Sequence, residues 1–151
     1  MAEIPVQETS TLIQFLTQGK LGPLEIGLTR KDVRLVLGDP EDWPVGEDKR
    51  SASIWKYEDL ELSFVNDELL GIWIEFHDRL QLPEALGIQG YFPNASTSRQ
   101  QIMEFVERHK LEYQVDEQLT FDSQTCYIFA SSHIRVIFYT DKPQRIAYIG
   151  T

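Results

Sequence analysis

The chain has a single cysteine, Cys126, which excludes an intramolecular disulfide and fits a reducing compartment. It has no apolar run longer than a strand, so nothing in it reads as a bilayer span. Met1 to Gly19 shows neither the basic start nor the apolar stretch of a secretory leader, and no cysteine for lipid attachment. The expectation is a cytoplasmic protein. Bases are scarce: 14 Lys and Arg stand against 24 Asp and Glu, for a net charge of −10. Residues 1–76 hold 15 of the acids and 7 of the bases, so the deficit sits mainly in the first half. Nucleic-acid backbones and anionic membranes are met by clustered Lys and Arg. The charge therefore argues against both as partners and permits a protein with a basic surface, while solubility alone also accounts for it.

Catalytic signatures are missing too. There is no glycine-rich phosphate loop and no nucleophile elbow. The acids of Asp39–Asp48 lack the alternate spacing and central glycine of a calcium loop. His77, His109 and His133 share no ligand spacing. Ser131-Ser132 beside His133 is adjacency in sequence, which is not triad geometry. Cys126 falls inside an expected strand, where an inert buried thiol is the usual case. The expectation is a non-enzyme without cofactor or metal.

What is present is a folded-domain composition, 42% hydrophobic and 25% charged, on a length that can bury a core without staples. Thr9–Thr11 offer caps for a helix carrying Leu12, Ile13, Phe15 and Leu16, closed by Gly19. Thr29 and Asp32 stand at capping-box spacing, Leu28 and Val33 at staple spacing, and Gly38-Pro40 end the second helix. Strands are expected near Ser53–Tyr57, Leu60–Val65 and Leu69–Phe76, turning at Glu58-Asp59 and Asn66-Asp67. His77 to Ala95, rich in Pro and Gly, reads as a linker. Ser98 and Gln101 then open a third helix. Further strands are expected near Glu112–Asp116, Thr125–Ala130, Ile134–Tyr139 and Arg145–Ile149.

The second half echoes the first. A shift of 74 residues lays Ile54 on Ile128, Trp55 on Phe129, Leu62 on Val136, Phe64 on Phe138 and Ile72 on Ile146. A shift of 69 lays Thr29 on Ser98 and Val33 on Ile102. The reading is one α+β domain over 1–151. It holds two helix-plus-antiparallel-meander repeats, about 9–76 and 96–150, joined by linker 77–95, with helices packed on one face of the sheet.

Ile26-Gly27-Leu28-Thr29, then Val33, then Leu37-Gly38-Asp39-Pro40 resembles the pattern of the small outer-membrane lipoprotein family (SmpA/OmlA, BamE-like). A tandem of such units is similar to the beta-lactamase inhibitor protein fold. The resemblance covers Leu24 to Phe76 best. It implies helices on an antiparallel sheet whose other face binds a protein, and an immunity or inhibitor-like role is its most specific form.

Two stretches are candidate partner sites. One is the acidic loop, with Asp42 and Glu47 flanking Trp43 as an aromatic anchor; the competing reading folds Trp43 back onto the core. The other is the outer sheet face, where Trp55, Tyr57, Val65, Trp73, Ile137 and Tyr139 lie at parities that need not all enter the main core; the competing reading covers both faces, with helices on one side and the linker on the other. The occupant is another protein, with a second copy of the chain as one candidate. The alternative is a small-molecule or enzymatic pocket between sheet and helices near Trp73 and His77.

Overall fold

A computed structural model describes residues 10–141 and 143–151. Pro5 opposes helix, so an extended lead-in is expected over Met1–Glu8; it and Thr9 as a cap lie outside the described residues. Among the described residues, three helices and one seven-stranded antiparallel sheet make an α+β fold. No helix among the described residues is long and apolar enough to cross a membrane.

Each helix starts where a short polar side chain satisfies an otherwise orphaned backbone donor. Helix α1 (Thr11–Gln18) is capped by Ser10, which accepts from the Ile13 amide, and Gly19 closes it in the left-handed region at φ 73°. Helix α2 (Arg30–Leu37) carries a complete capping box. The Asp32 amide donates to Thr29 Oγ1 at 3.2 Å, and the Thr29 amide to Asp32 Oδ2 at 3.1 Å. Aspartate is therefore long enough for the return bond. Helix α3 (Arg99–Arg108) repeats the device with Ser98 and Gln101.

The strands are β1 (Ile54–Tyr57), β2 (Leu60–Val65), β3 (Glu68–Glu75), β4 (Gln114–Val115), β5 (Gln124–Phe129), β6 (Ile134–Tyr139) and β7 (Ile146–Gly150), in the spatial order β1-β2-β3-β7-β6-β5-β4. Asn66 and Asp67 both take positive φ, 52° and 63°, as a tight hairpin turn of the primed type requires. The two meanders meet where β3 pairs with β7, through Trp73–Gly150, Ile74–Ile149 and Glu75–Tyr148. Strand β4 is shorter than the expected Glu112–Asp116. The Asp116 side chain instead accepts from the Gln118 amide and turns the chain into a 3-10 turn, Glu117–Leu119.

One main core takes alternate strand residues, among them Leu60, Leu62 and Phe64 on β2, Ile72 and Ile74 on β3, and Val136 and Phe138 on β6. Apolar residues of all three helices join the same cluster: Leu12, Ile13, Phe15 and Leu16 of α1, Val33 and Leu37 of α2, and Ile102, Met103, Phe105 and Val106 of α3. So do linker side chains: Leu86 is buried in it, and Leu80, Leu82, Ile88 and Phe92 pack against it. The linker thus adds to this core rather than covering the far side of the sheet.

The assignment of Trp55 and Tyr57 to the outer face is corrected. Trp55 pairs with Leu62 and Tyr57 with Leu60, so both share the core face with those leucines and are 1% and 3% exposed. Their polar tips are satisfied at the rim of the core. Trp55 Nε1 donates to the Lys49 carbonyl at 2.7 Å, and Tyr57 Oη to the Gly38 carbonyl at 2.8 Å. The Trp55 ring meets Phe64 edge-on at 5.0 Å between centroids. A buried aromatic with a hydrogen-bonded tip is a core residue in both its apolar and its polar parts.

Candidate functional site

On the sheet face turned away from the main core, the two halves are finished differently. In the second half, Cys126, Ile137 and Ala147 form a small apolar cluster, with Leu119 and Tyr148 packed against it. Leu119 comes from the 3-10 turn that follows β4. Burial pushes the Cys126 thiol up to about 11, with the Asp116 carboxylate adding to the effect. In the first half, Lys56, Glu61 and Trp73 project from the same face without such a cover, and a groove of about 360 Å³ lies where the two halves meet.

The groove is lined by Trp73, Tyr148, Ile137 and Leu119, with Asp59, Glu61, Glu75 and Lys56 around them. Trp73 comes from β3 and Tyr148 from β7, the two strands that join the halves. Their rings meet edge-on at 6.5 Å and 86°. Gly150, opposite Trp73, makes this possible: a Cβ there would stand 2.6 Å from the indole and run into the Ile72 carbonyl. Tyr148 Oη donates to Glu75 Oε1 at 3.4 Å. Burial first, and then the Glu75 carboxylate, raise the Tyr148 phenol above its ordinary value, so it stays protonated at neutral pH. Glu75 Oε2 also lies 3.5 Å from His77 Nε2, and Asp59 Oδ1 3.9 Å from the same nitrogen. Three carboxylates against one ammonium make the groove acidic, and its floor is aromatic and aliphatic.

Comparison with protein-family models, curated proteins and solved structures finds no match.

The acidic loop runs along the free edge of β1. The Lys56 amide donates to the Asp42 carbonyl and the Glu41 amide to the Lys56 carbonyl, which covers a strand edge that would otherwise be open to pairing. The loop's carboxylates are largely engaged in shaping it. Glu47 accepts from the Ser53 amide and hydroxyl at 2.9 Å, Asp48 from the Arg50 amide, and Asp39 pairs with Lys49 at 3.4 Å. Asp42 is exposed and caps the Trp43 amide. Trp43 is half-buried, packs against the main core, and has Lys49 6.0 Å from its ring.

Of the residues read as binding positions, only Trp73 lies in the groove, together with Ile137 beneath it. Asp42, Trp43 and Glu47 stay in the loop beside β1. Tyr139 is exposed but lines a different concavity, with His77, Asp78 and Arg145. Trp73 faces away from the main core, so it forms no cleft between sheet and helices with His77. Tyr148, Leu119, Glu61 and Glu75 were not singled out from sequence. Glu61 and Glu75 were legible, since each alternates with core residues of β2 or β3. Tyr148 was hidden, because a bulge between Ile137 and Phe138 on the pairing of β6 with β7 resets the parity of β7. Among the described residues, no group of three or more His, Cys, Asp or Glu is placed to hold a metal ion.

Proposed function

We propose that the chain is a non-catalytic, cytoplasmic protein-binding module that receives a Lys or Arg side chain of its partner in the Trp73–Tyr148 groove. The observation that carries this reading is the open, aromatic-floored and acid-rimmed groove. A cation set over an indole gains from the ring quadrupole, and Asp59, Glu61 and Glu75 supply charge complementarity at close range. The aliphatic stem of a Lys or Arg suits the Ile137 and Leu119 wall. An immunity or inhibitor-like role is the specific form of this proposal, with the neighbouring acidic loop extending the charged surface.

The architecture behind it is two helix-plus-meander repeats with the helices on one sheet face. Three matched details support this. The pairing of β2 with β3 slips between Ser63 and Phe64, and that of β6 with β7 between Ile137 and Phe138. The helix caps bridge to matching positions, Thr29 to Glu68 and Ser98 to Arg145. The Leu69 amide donates to the Leu28 carbonyl as the Ile146 amide does to that of Thr97.

Affinity capture from a native lysate, repeated with Trp73→Ala, Glu61→Lys and the surface control Leu35→Ala, tests the function. A stoichiometric partner retained by Leu35→Ala and lost by both groove variants supports the reading. A partner indifferent to both groove variants sinks it.

A further inference from the structure

We propose that a second site, on the first helical face, binds a phosphate monoester. Arg30, Lys31 and Arg34 of α2 line a concavity of about 390 Å³ with Arg50, Trp55 and Asp67. Four of the seven bases in residues 1–76 thus converge on one cleft of a strongly acidic protein. The chain has no continuous basic run, and the fold assembles one.

Arg30 is the floor of the cleft. It pairs with Asp67 at 3.1 Å, donates to the Ser51 and Ala52 carbonyls, and lies over the Phe64 ring at 4.8 Å. The other three differ. Among the described residues, Lys31, Arg34 and Arg50 have no carboxylate within ion-pair distance. The helix itself gains nothing from Lys31: Arg30 and Lys31 occupy the first two helical positions, at the positive end of the helix dipole. Arg34 stands one turn on from both, where like charges repel, and in the last turn, where the dipole favours a cation. Thr29 already caps the Asp32 amide of that turn, and the binding groups in question are side chains.

The second half supplies an internal control. Its corresponding cleft is lined by Arg99, Gln100, Met103, Tyr127 and Gln144, in the places of Arg30, Lys31, Arg34, Trp55 and Asp67. Arg99 is again tied down, donating to Tyr127 Oη at 2.8 Å. The arginine that opens α2 and α3 is thus common to both halves, whereas among the described residues lining the second cleft none is a cation in the place of Lys31, Arg34 or Arg50. A tetrahedral dianion suits those three, because guanidinium forks bind phosphate oxygens in pairs and the lysine adds a point charge. The volume leaves room beside the phosphate for the small group that carries it.

The test is a titration of the full chain with inorganic phosphate, followed by backbone amide NMR near neutral pH at constant ionic strength, with chloride as reference. Ribose 5-phosphate against ribose forms the second arm. The expected result is saturable shifts around Lys31, Arg34 and Arg50 with phosphate and with ribose 5-phosphate. Arg34→Gln or Arg50→Gln should weaken binding roughly tenfold, the loss of one charge-assisted contact, while Arg108→Gln on α3 leaves it unchanged. Without phosphate, Arg34→Gln should leave the melting temperature near that of the parent, since relief of repulsion and loss of the favourable dipole contact are of similar size. Shifts matched by chloride, shifts untouched by the cleft variants, or a marked loss of melting temperature in Arg34→Gln would each overturn the proposal. Binding of inorganic phosphate without ribose 5-phosphate would overturn its extension to an ester.

Discussion

Trp55 and Trp73 stand on adjoining hairpins of one sheet and should respond to truncation in opposite ways. Trp55 is 1% exposed, meets Phe64 edge-on and is hydrogen-bonded through its indole nitrogen. A buried aromatic of this kind removes ~150–250 Å² from water, which at ~25 cal/mol per Å² is about 4–6 kcal/mol. Measured truncations of buried Phe and Trp cost about 3–5 kcal/mol. The Lys49 carbonyl lies in the loop and can turn to water, so Trp55→Ala leaves no buried orphan, and about 4 kcal/mol is the working figure. Trp73 is half-buried in an open groove, and Trp73→Ala should cost about 1–2 kcal/mol. With a urea dependence of about 2 kcal/mol per molar, the midpoints should fall by about 2 M and by under about 1 M respectively. Far-ultraviolet circular dichroism across a urea series reads both. Equal midpoints, or a larger fall for Trp73→Ala, would refute the assignment of the two tryptophans to opposite faces.

Three further outcomes follow from the same geometry. Gly150→Ala drives a methyl group into the Trp73 ring; it should cost about 1–3 kcal/mol by overpacking and shift the tryptophan emission, and an unchanged spectrum and midpoint would contradict the close approach. Cys126 is fully buried with its thiol raised to about 11, so the native protein should be inert to a disulfide-exchange reagent in mildly alkaline buffer and react only when unfolded; fast native labelling would show that the outer cluster opens. Arg135 donates to Asp116 at 2.8 Å and holds that carboxyl below its ordinary value. A lowered folded-state pKa stabilises above the ordinary carboxylate range and is lost as pH falls toward the depressed value. Asp116→Ala should therefore be less stable than the parent at neutral pH, with the gap closing in acid; a gap that persists unchanged in strong acid would assign the loss to packing instead.

Local chemistry made most of the secondary structure legible. Ser98, Thr29 and Gly19 carry their capping roles in their identities, and Leu60–Val65 and Ile134–Tyr139 form strands over the residues their alternation marked. The faces were legible only in part. With Glu58-Asp59 as a two-residue turn, Tyr57 must oppose Leu60 and share its side, so the core position of Trp55 and Tyr57 was implied by the turn. What no local pattern revealed was the bulge in each half. An ungapped shift lays Trp55 on Phe129 and Ile72 on Ile146, whereas Trp55 pairs across its hairpin as Tyr127 does, and Ile72 as Ile149 does. The loops between strands are longer in the second half, and sequence identity tracks residues rather than register. The joint of β3 with β7, and with it the Trp73–Tyr148 groove, depends on pairing between distant segments that carries no turn to announce it.

That joint has a further consequence. Leu69 pairs with Phe64 beyond one bulge and Ile146 with Phe138 beyond the other, and Trp73 and Gly150 each stand four residues farther along. These residues pair with each other, so on the proposed duplication a local twofold between the halves would pass between them. Two separate but identical half-chains would have to carry the same residue on both sides of that axis. Two tryptophans would collide there, and two glycines would leave no indole. Covalent fusion lifts the constraint: one side supplies the ring and the other the space for it. On the duplication proposed above, the groove is a feature that only a tandem chain, and no symmetric dimer of its halves, can possess.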